Sequence, residues 1–374
     1  MNTFKLDIDQ AEALQKAADT AILECLKVKK DEKVLIVTNP NHDVLLISQT
    51  LYNASVRAEA KPSILIQPVK SQLDASEDTV IAAISSEPDV IISMSHQKIG
   101  KDLKAQKKPY MVNGQKIDST YHYLLDTKKT RGFWSPTVTI EQFIKTVPVD
   151  YSRMKKEALF IKKILDDGSK VRITCPFGTD IEFGINKRTA FVDDGDFSEP
   201  GAGGNLPAGE SFISPGNGTA EGRIAFKGSI SVYNGVLILD NPLIVTVRNG
   251  FVDKITEDET GKILADTIER GKAAAEESGR NGKLSPEDAA EYARNARHLG
   301  ELGIGINPNA EIIGNMLIDE KVYKTCHIAI GSNYDNDAPA MIHLDGLIQQ
   351  PTLSVLSSKG EWVDVLKGGY LVGL

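Results

Sequence analysis

The chain has 374 residues, of which 41% are hydrophobic and 25% charged, and its formal net charge is −8. This length exceeds what one hydrophobic core usually organises, so we expect two domains, and the composition is that of an ordinary folded globular protein. The negative charge argues against a nucleic-acid-binding protein, which needs a basic face to displace counterions from phosphates.

The three cysteines, Cys25, Cys175 and Cys326, are widely spaced, a pattern that indicates neither a disulfide framework nor a Cys-x-x-Cys zinc site. No stretch approaches the roughly 18 uninterrupted apolar residues of a membrane span, and residues 1–16 are too polar for a signal peptide. We therefore expect a cytoplasmic protein with neither a membrane nor a nucleic-acid partner.

The first 150 residues alternate between helical and strand patterns. Helical spacing at 9–28, 44–54 and 76–85 alternates with apolar runs at 33–38, 63–68 and 89–94. This alternation predicts an open α/β domain with a parallel sheet over residues 1–150. The turn after the first run reads Asn39-Pro40-Asn41-His42 and lacks a glycine-rich phosphate loop, so no nucleotide is expected.

A charged amphipathic helix is predicted at 151–168, as a connector to a β-rich α+β domain over residues 169–374. Short strand-like runs follow it at 170–175, 180–184, 211–214, 224–230, 236–239, 243–248 and 251–255. Asn249-Gly250 between two of these runs predicts a hairpin. Helices are predicted at 259–279 and from Pro286 onward, where Ser285 is the cap. The second helix is expected to reach residues 298–301, which would place His298 on its surface.

Two glutamates in the β-rich half are candidates for metal chemistry. Glu210 follows a turn rich in glycine and proline that would aim its carboxylate, although a solvated turn glutamate fits that segment equally well. Glu301 lies in an apolar, glycine-rich run, where an acid must point to water or find a cation. The cost of burial favours the cation.

Further candidates stand in strand-like runs near the end of the chain. His327 would share a strand face with Ala329 and Gly331, which leave space beside it, although a lone strand histidine is usually a satisfied core residue. His343 and Asp345 alternate onto one strand face, as two ligands of one ion or of neighbouring ions would. Imidazole and carboxylate donors suit divalent zinc, manganese, cobalt or iron.

Other catalytic residue types have less support. Tyr334 could offer its phenol to a developing oxyanion, although an exposed loop tyrosine is the simpler interpretation. No Gly-x-Ser-x-Gly elbow occurs, and Cys175 and Cys326 lie in apolar runs that disfavour a thiolate.

Taken in order, these segments resemble the aminopeptidase T family of dinuclear metallo-aminopeptidases. The resemblance rests on the following motifs: Asn205-Leu206-Pro207 with Glu210, Leu299-Gly300-Glu301, Cys326-His327-Ile328-Ala329-Ile330-Gly331, Tyr334, and His343-x-Asp345. It implies a homodimer that removes the N-terminal residue from short peptides. It also implies two divalent ions, zinc, cobalt or manganese.

The same resemblance implies specific roles for six residues. The implied metal ligands are Glu210, Glu301, His327, His343 and Asp345. Tyr334 would lie close to the reacting carbonyl, and Glu210 or Glu301 would relay a proton to the departing amine.

The chain departs from this family in two places. Better-known members carry two consecutive acids where this chain has Gly209-Glu210, so a general base or a ligand is missing. Their two histidines also stand further apart than the 16 positions between His327 and His343. Both departures make metal binding a firmer expectation than peptidase activity.

Two alternatives remain open. The same fold is implied by similarity to 2,5-dihydroxypyridine 5,6-dioxygenase, a mononuclear iron(II) enzyme with a facial triad of two histidines and one carboxylate. That enzyme has a histidine in place of Glu301 and lacks counterparts of Glu210 and His327, so the sequence favours the hydrolase. A metal-binding relative that has lost turnover is the second alternative.

Overall fold

The computed structural model describes residues 6–71 and 74–374. The chain forms two compact units, one of residues 1–152 with 195–208 and the other of residues 153–194 with 209–374. The predicted boundaries at 150 and 168 assigned the whole of 169–374 to the second domain. The structure instead places residues 195–208 in the first unit, because Gly203–Asn205 pairs in parallel with Arg131–Trp134 and extends the sheet of that unit.

The first unit is an open α/β structure around a five-stranded parallel sheet. Its strands are β1 (Lys33–Thr38), β2 (Lys61–Ile66), β3 (Val90–Met94), β6 (Arg131–Trp134) and β10 (Gly203–Asn205), and they lie side by side in the order β10-β6-β3-β1-β2. A separate hairpin consists of β4 (Tyr110–Val112) and β5 (Gln115–Ile117). Its helices are α1 (Ile8–Asp19, continued by a π-helical turn at Thr20–Cys25), α2 (His42–Arg57), α3 (Asp78–Ile84), α4 (Leu103–Lys107), α5 (Thr120–Asp126) and α6 (Ile140–Thr146). The central strands β1 and β3 are almost wholly buried, which explains their continuous apolar sequences.

The second unit is built on a large antiparallel sheet that is flanked by helices. Its strands are β7 (Gly168–Thr174), β8 (Asp180–Gly184), β9 (Phe191–Asp193), β11 (Glu210–Ile213), β12 (Glu221–Val232), β13 (Gly235–Arg248), β14 (Phe251–Ile255), β15 (Leu299–Gly305), β16 (Thr325–Gly331), β17 (His343–Gln349), β18 (Thr352–Ser357), β19 (Trp362–Lys367) and β20 (Tyr370–Leu371). Its helices are α8 (Glu259–Arg280), α9 (Pro286–Asn295) and α10 (Met316–Asp319), and α7 (Tyr151–Asp166) leads into it. The main path of the sheet runs β20-β19-β18-β7-β8-β12-β17-β16-β15-β11-β9.

The two-part α/β and β-rich architecture predicted from the sequence is confirmed, and so is the Asn249-Gly250 turn between β13 and β14, where both residues have positive φ. The predicted end of the second helix is wrong. Helix α9 ends at Asn295, because the backbone N–H of Leu299 donates to the carbonyl of Gly250 and starts a strand there. His298 is consequently buried rather than on a helix surface.

Within the described ranges, 6–71 and 74–374, no helix has both the length and the apolar character needed to span a bilayer. The cytoplasmic location stays a prediction.

Candidate metal centre

Four neighbouring strands of the second unit bring the predicted site residues to one face of the sheet. The antiparallel register pairs Glu301 with Ala329 and Ala329 with Asp345, and it pairs Gly331 with His343. Side chains on paired residues point to the same face of a sheet, and the same face recurs every second residue along a strand. All five predicted ligands therefore face one region: Glu210 on β11, Glu301 on β15, His327 on β16, and His343 and Asp345 on β17.

The five side chains form two adjoining groups of potential metal donors. Glu210, Glu301 and His327 make up the inner group, and Glu301, His343 and Asp345 make up the outer group, with the donor atoms of each group lying within 4.8 Å of one another. Glu301 belongs to both, because its Oε1 lies 3.5 Å from His327 Nε2 and its Oε2 lies 3.0 Å from His343 Nε2. The inner group is buried, whereas a quarter of the His343 side chain is exposed.

The ring orientation of His343 suits a metal ligand. Its Nδ1 lies 2.9 Å from the carbonyl oxygen of Ser332, which can only accept a hydrogen bond, so Nδ1 carries the proton. In the neutral ring, Nε2 then presents a lone pair toward Glu301 Oε2 and toward Asp345 Oδ1, which is 3.1 Å away. A backbone carbonyl that fixes the tautomer in this way is a common support for metal-bound histidine.

Two buried carboxylate oxygens at the site depend on the histidines for a partner within the described part of the chain. Glu210 Oε2 lies 3.5 Å from His327 Nε2, and Asp345 Oδ1 lies 3.1 Å from His343 Nε2. When these nitrogens carry no proton the two oxygens have no donor, and buried carboxylate oxygens in that state are costly unless a cation satisfies them. Together with the imidazole and carboxylate chemistry of the donors, this indicates that the residues fit a divalent first-row metal ion.

Without a metal ion, the two histidines at the site are held in the charged form. Burial by itself favours a neutral ring, but the hydrogen bond to Glu301 and the nearby Glu210 carboxylate outweigh it and raise the pKa of His327 to about 9. The pKa of His343 is likewise raised well above its usual value, since Asp345 and Glu301 outweigh the burial of the ring. A divalent ion would supply the positive charge that these protons give to the site, so we expect metal binding to release them.

A buried lysine that no sequence pattern predicts completes the site. Lys321 is fully buried, and its Nζ donates to Glu210 Oε1, lies 2.7 Å from Glu320 Oε1 and lies 3.5 Å from Asp193 Oδ2. Its sequence context, Ile318-Asp319-Glu320-Lys321, is typical of a solvated helix end. Burial disfavours the ammonium, but Glu210, Glu320 and Asp193 raise the pKa of Lys321 well above its usual value.

Aromatic side chains extend from the outer group along the same part of the sheet. The ring of Tyr334 lies edge-on to His343 with centroids 5.6 Å apart, and it also packs on Phe212 at 4.9 Å. Phe212 stacks on Phe191 at 5.3 Å. We call Phe191, Phe212 and Tyr334 the aromatic wall. Tyr334 is 52% exposed and Phe191 40% exposed, so the wall presents ring surface to solvent beside a candidate ligand.

A family model described as NicX, 2,5-dihydroxypyridine 5,6-dioxygenase, matches residues 139–327, just over half of the chain. Among solved structures, the chain is similar to 2,5-dihydroxypyridine dioxygenase from Pseudomonas putida KT2440, with a TM-score of 0.70 and 15% identity over 98% of each chain. It is also similar to wild-type AmpT from Thermus thermophilus, with a TM-score of 0.66 and 15% identity over 97% of this chain and 100% of that one. No curated protein matches it in sequence. At these identities, the two structures establish a common fold.

These comparisons correct the expected reaction class. The sequence favoured a metallo-aminopeptidase, a hydrolase acting on peptide bonds, and that expectation is wrong. The family model and the Pseudomonas putida structure are described as dioxygenases, which are oxidoreductases, whereas AmpT supports a hydrolase. Carboxylate and imidazole donors serve metal hydrolases and metal oxygenases alike, so the five-residue set does not by itself decide between the two reaction classes.

Proposed function

The chain belongs to the NicX, 2,5-dihydroxypyridine 5,6-dioxygenase, family, and from that membership we propose that it is a metal-dependent oxidoreductase that opens a small hydroxylated aromatic ring with molecular oxygen. The observation that carries the proposal is the position of His343. This residue belongs to the outer donor group, and its ring also contacts Tyr334 of the aromatic wall. A planar substrate held on Tyr334 would therefore lie beside the metal ligands.

We assign the reacting ion, a divalent iron, to Glu301, His343 and Asp345. Non-haem iron oxygenases typically use two histidines and one carboxylate on one side of the metal and keep the other positions open. This chain supplies one histidine and two carboxylates, so Glu301 stands where a second imidazole is usual. Iron bound at this position would activate oxygen and polarise a substrate hydroxyl.

The residues around the outer group have separable tasks. The Ser332 carbonyl holds His343 in the tautomer that presents Nε2. The rings of Phe212 and Tyr334 would hold the substrate by stacking, which is worth about 0.5–1.5 kcal/mol per aromatic pair beyond buried area. We assign to the Tyr334 hydroxyl the donation of a hydrogen bond to a substrate oxygen, because the ring that carries it packs against His343.

Ring opening also requires a proton acceptor, and we propose Glu210 Oε2 for this task. An ion at the outer group would lower the pKa of a substrate hydroxyl, and the proton released needs an acceptor; Glu210 Oε2 is buried and lies 3.5 Å from His327 Nε2, to which it could pass that proton. The carbon–carbon bond between the hydroxyl-bearing carbon and its neighbour then breaks; one atom of O₂ completes a carboxyl group on the first carbon, and the other becomes the carbonyl oxygen of the second. No oxidant other than O₂ is consumed.

The test is oxygen uptake by protein purified without air and loaded with iron(II). We expect uptake of one O₂ per ring opened with 2,5-dihydroxypyridine or a related hydroxylated pyridine or benzene, with loss of the ring absorbance and two ¹⁸O atoms in the product from ¹⁸O₂. The matched control is His343→Gln, which should abolish uptake.

Full iron loading without uptake for any ring compound would contradict the proposal and favour the non-catalytic relative. Release of amino acids from peptides by the same preparation would also contradict it. The homodimer implied by the resemblance stays a prediction, which light scattering of the purified protein tests.

A further inference from the structure

The buried ammonium of Lys321 bears on how many ions the site holds. We propose that Lys321 supplies the positive charge of a second cation, so that the chain binds one divalent ion tightly, at Glu301, His343 and Asp345, and not two. The inference rests on the metal centre of the proposed function but not on its reaction. It replaces the two-ion site that the sequence resemblance implied.

The distribution of carboxylate oxygens supports a single ion. An ion in the outer group faces Glu301 Oε2 and Asp345 Oδ1, and these two carboxylates balance its charge. The inner group then has Glu210 as its one unshared carboxylate, and Oε1 of that residue already accepts from Lys321. A second divalent ion would have to share Glu210 with the ammonium. Like charges on one carboxylate repel strongly in a buried site of low dielectric constant.

The ammonium cannot easily move away to admit an ion. Glu320 and Asp193 hold it from two other directions, at 2.7 and 3.5 Å. The backbone of Lys321 is also fixed, because its carbonyl accepts from the N–H of Asn307 and its carbonyl carbon lies 2.7 Å from where a Cβ on Gly305 would be. The charge is therefore a built part of the site rather than a mobile surface lysine.

The experiment counts metal ions by elemental analysis and calorimetric titration, with zinc and manganese(II) as the probes. Wild-type protein should bind one equivalent tightly. Glu210→Gln should also bind one, because the inner group is not filled, and Lys321→Met should bind two, because an apolar side chain of similar length removes the competing charge. Lys324→Met, at an exposed lysine three residues further on, is the matched control and should bind one.

Two tight ions in wild type that fall to one in Glu210→Gln would overturn the inference, and so would loss of metal from folded Lys321→Met. If Lys321→Met does not fold, the ion counts of wild type and Glu210→Gln still decide between one ion and two. One tight ion without oxygen uptake would contradict the proposed function and leave this inference standing. Two tight ions in a protein that does consume oxygen would contradict this inference and leave the proposed function standing.

Discussion

Gly303 lies directly against the imidazole of His327, its partner on the neighbouring strand. A Cβ built on Gly303 would fall 2.1 Å from both Nε2 and Cε1 of that ring, which is closer than any real contact. The ring therefore occupies the space that a side chain at position 303 would need. In this position its Nε2 is 3.5 Å from both Glu210 Oε2 and Glu301 Oε1. The absence of a side chain at Gly303 is thus what allows the inner group to form.

Gly303→Ala should destabilise the protein and move His327 away from its partners. Overpacking of a buried position typically costs about 1–3 kcal/mol, so we expect a loss of that order in the free energy of unfolding, measured with urea in the presence of a chelator. The control is Gly184→Ala on β8, where the new Cβ would meet Thr219 at an ordinary 3.4 Å. Equal stability of the two variants would contradict the packing argument.

Gly300→Ala should weaken metal binding without changing a ligand. A Cβ at Gly300 would lie 2.1 Å from the carbonyl oxygen of Ser332, the group that accepts from His343 Nδ1. Displacing that carbonyl removes the hydrogen bond that keeps the proton of His343 on Nδ1. Loss of such a support typically lowers metal affinity about 10- to 100-fold. Calorimetric titration with zinc measures it. Ser332→Ala keeps the carbonyl and should bind as wild type does; an equal loss in both variants would refute the role of the carbonyl.

Short-range pattern was enough to predict the fold class, and together with the family resemblance it singled out the five residues that the structure brings together. The alternation of His343 and Asp345, and of His327 with Ala329 and Gly331, places each set on one strand face, and the register of β16 and β17 brings those faces together. Glu301 was singled out by the cost of burying an acid, and it is only 4% exposed. The roles of these residues as ligands stay predictions.

Other features depend on contacts that a local pattern does not contain. Lys321 is buried because Asp193 and Glu210, more than 100 positions earlier in the chain, surround its ammonium. The strand at 203–205 joins the first unit through partners about 70 positions away. Gly209 has φ of +133°, with Asn307 Cβ 2.8 Å from where its own Cβ would be, so the backbone here excludes the second acid that the sequence resemblance led us to look for.

Tyr334→Phe and Tyr334→Ala should separate the two tasks proposed for this residue. Removal of the hydroxyl should lower kcat with KM and iron content nearly unchanged, because the ring still packs on Phe212 and His343. Removal of the ring should also raise KM, by roughly three- to tenfold for one lost aromatic contact of about 0.5–1.5 kcal/mol. Steady-state oxygen uptake measures both. A Tyr334→Phe variant with unaltered kcat would place the phenol outside the reaction.

His298→Leu should make the protein less sensitive to acid. His298 is 2% exposed, neither ring nitrogen has a hydrogen bond within the described residues, and burial lowers its pKa from 6.5 to about 4. Between these pH values the unfolded chain binds a proton that the folded chain does not, so the free energy of unfolding falls as the pH drops from about 6.5 to about 4, by roughly 3 kcal/mol for this group. Urea unfolding at both pH values, with chelator present, should show a smaller fall for His298→Leu than for wild type. His122→Leu, at an exposed histidine, is the control and should behave as wild type does. An equal fall in all three proteins would show that His298 does not titrate on unfolding.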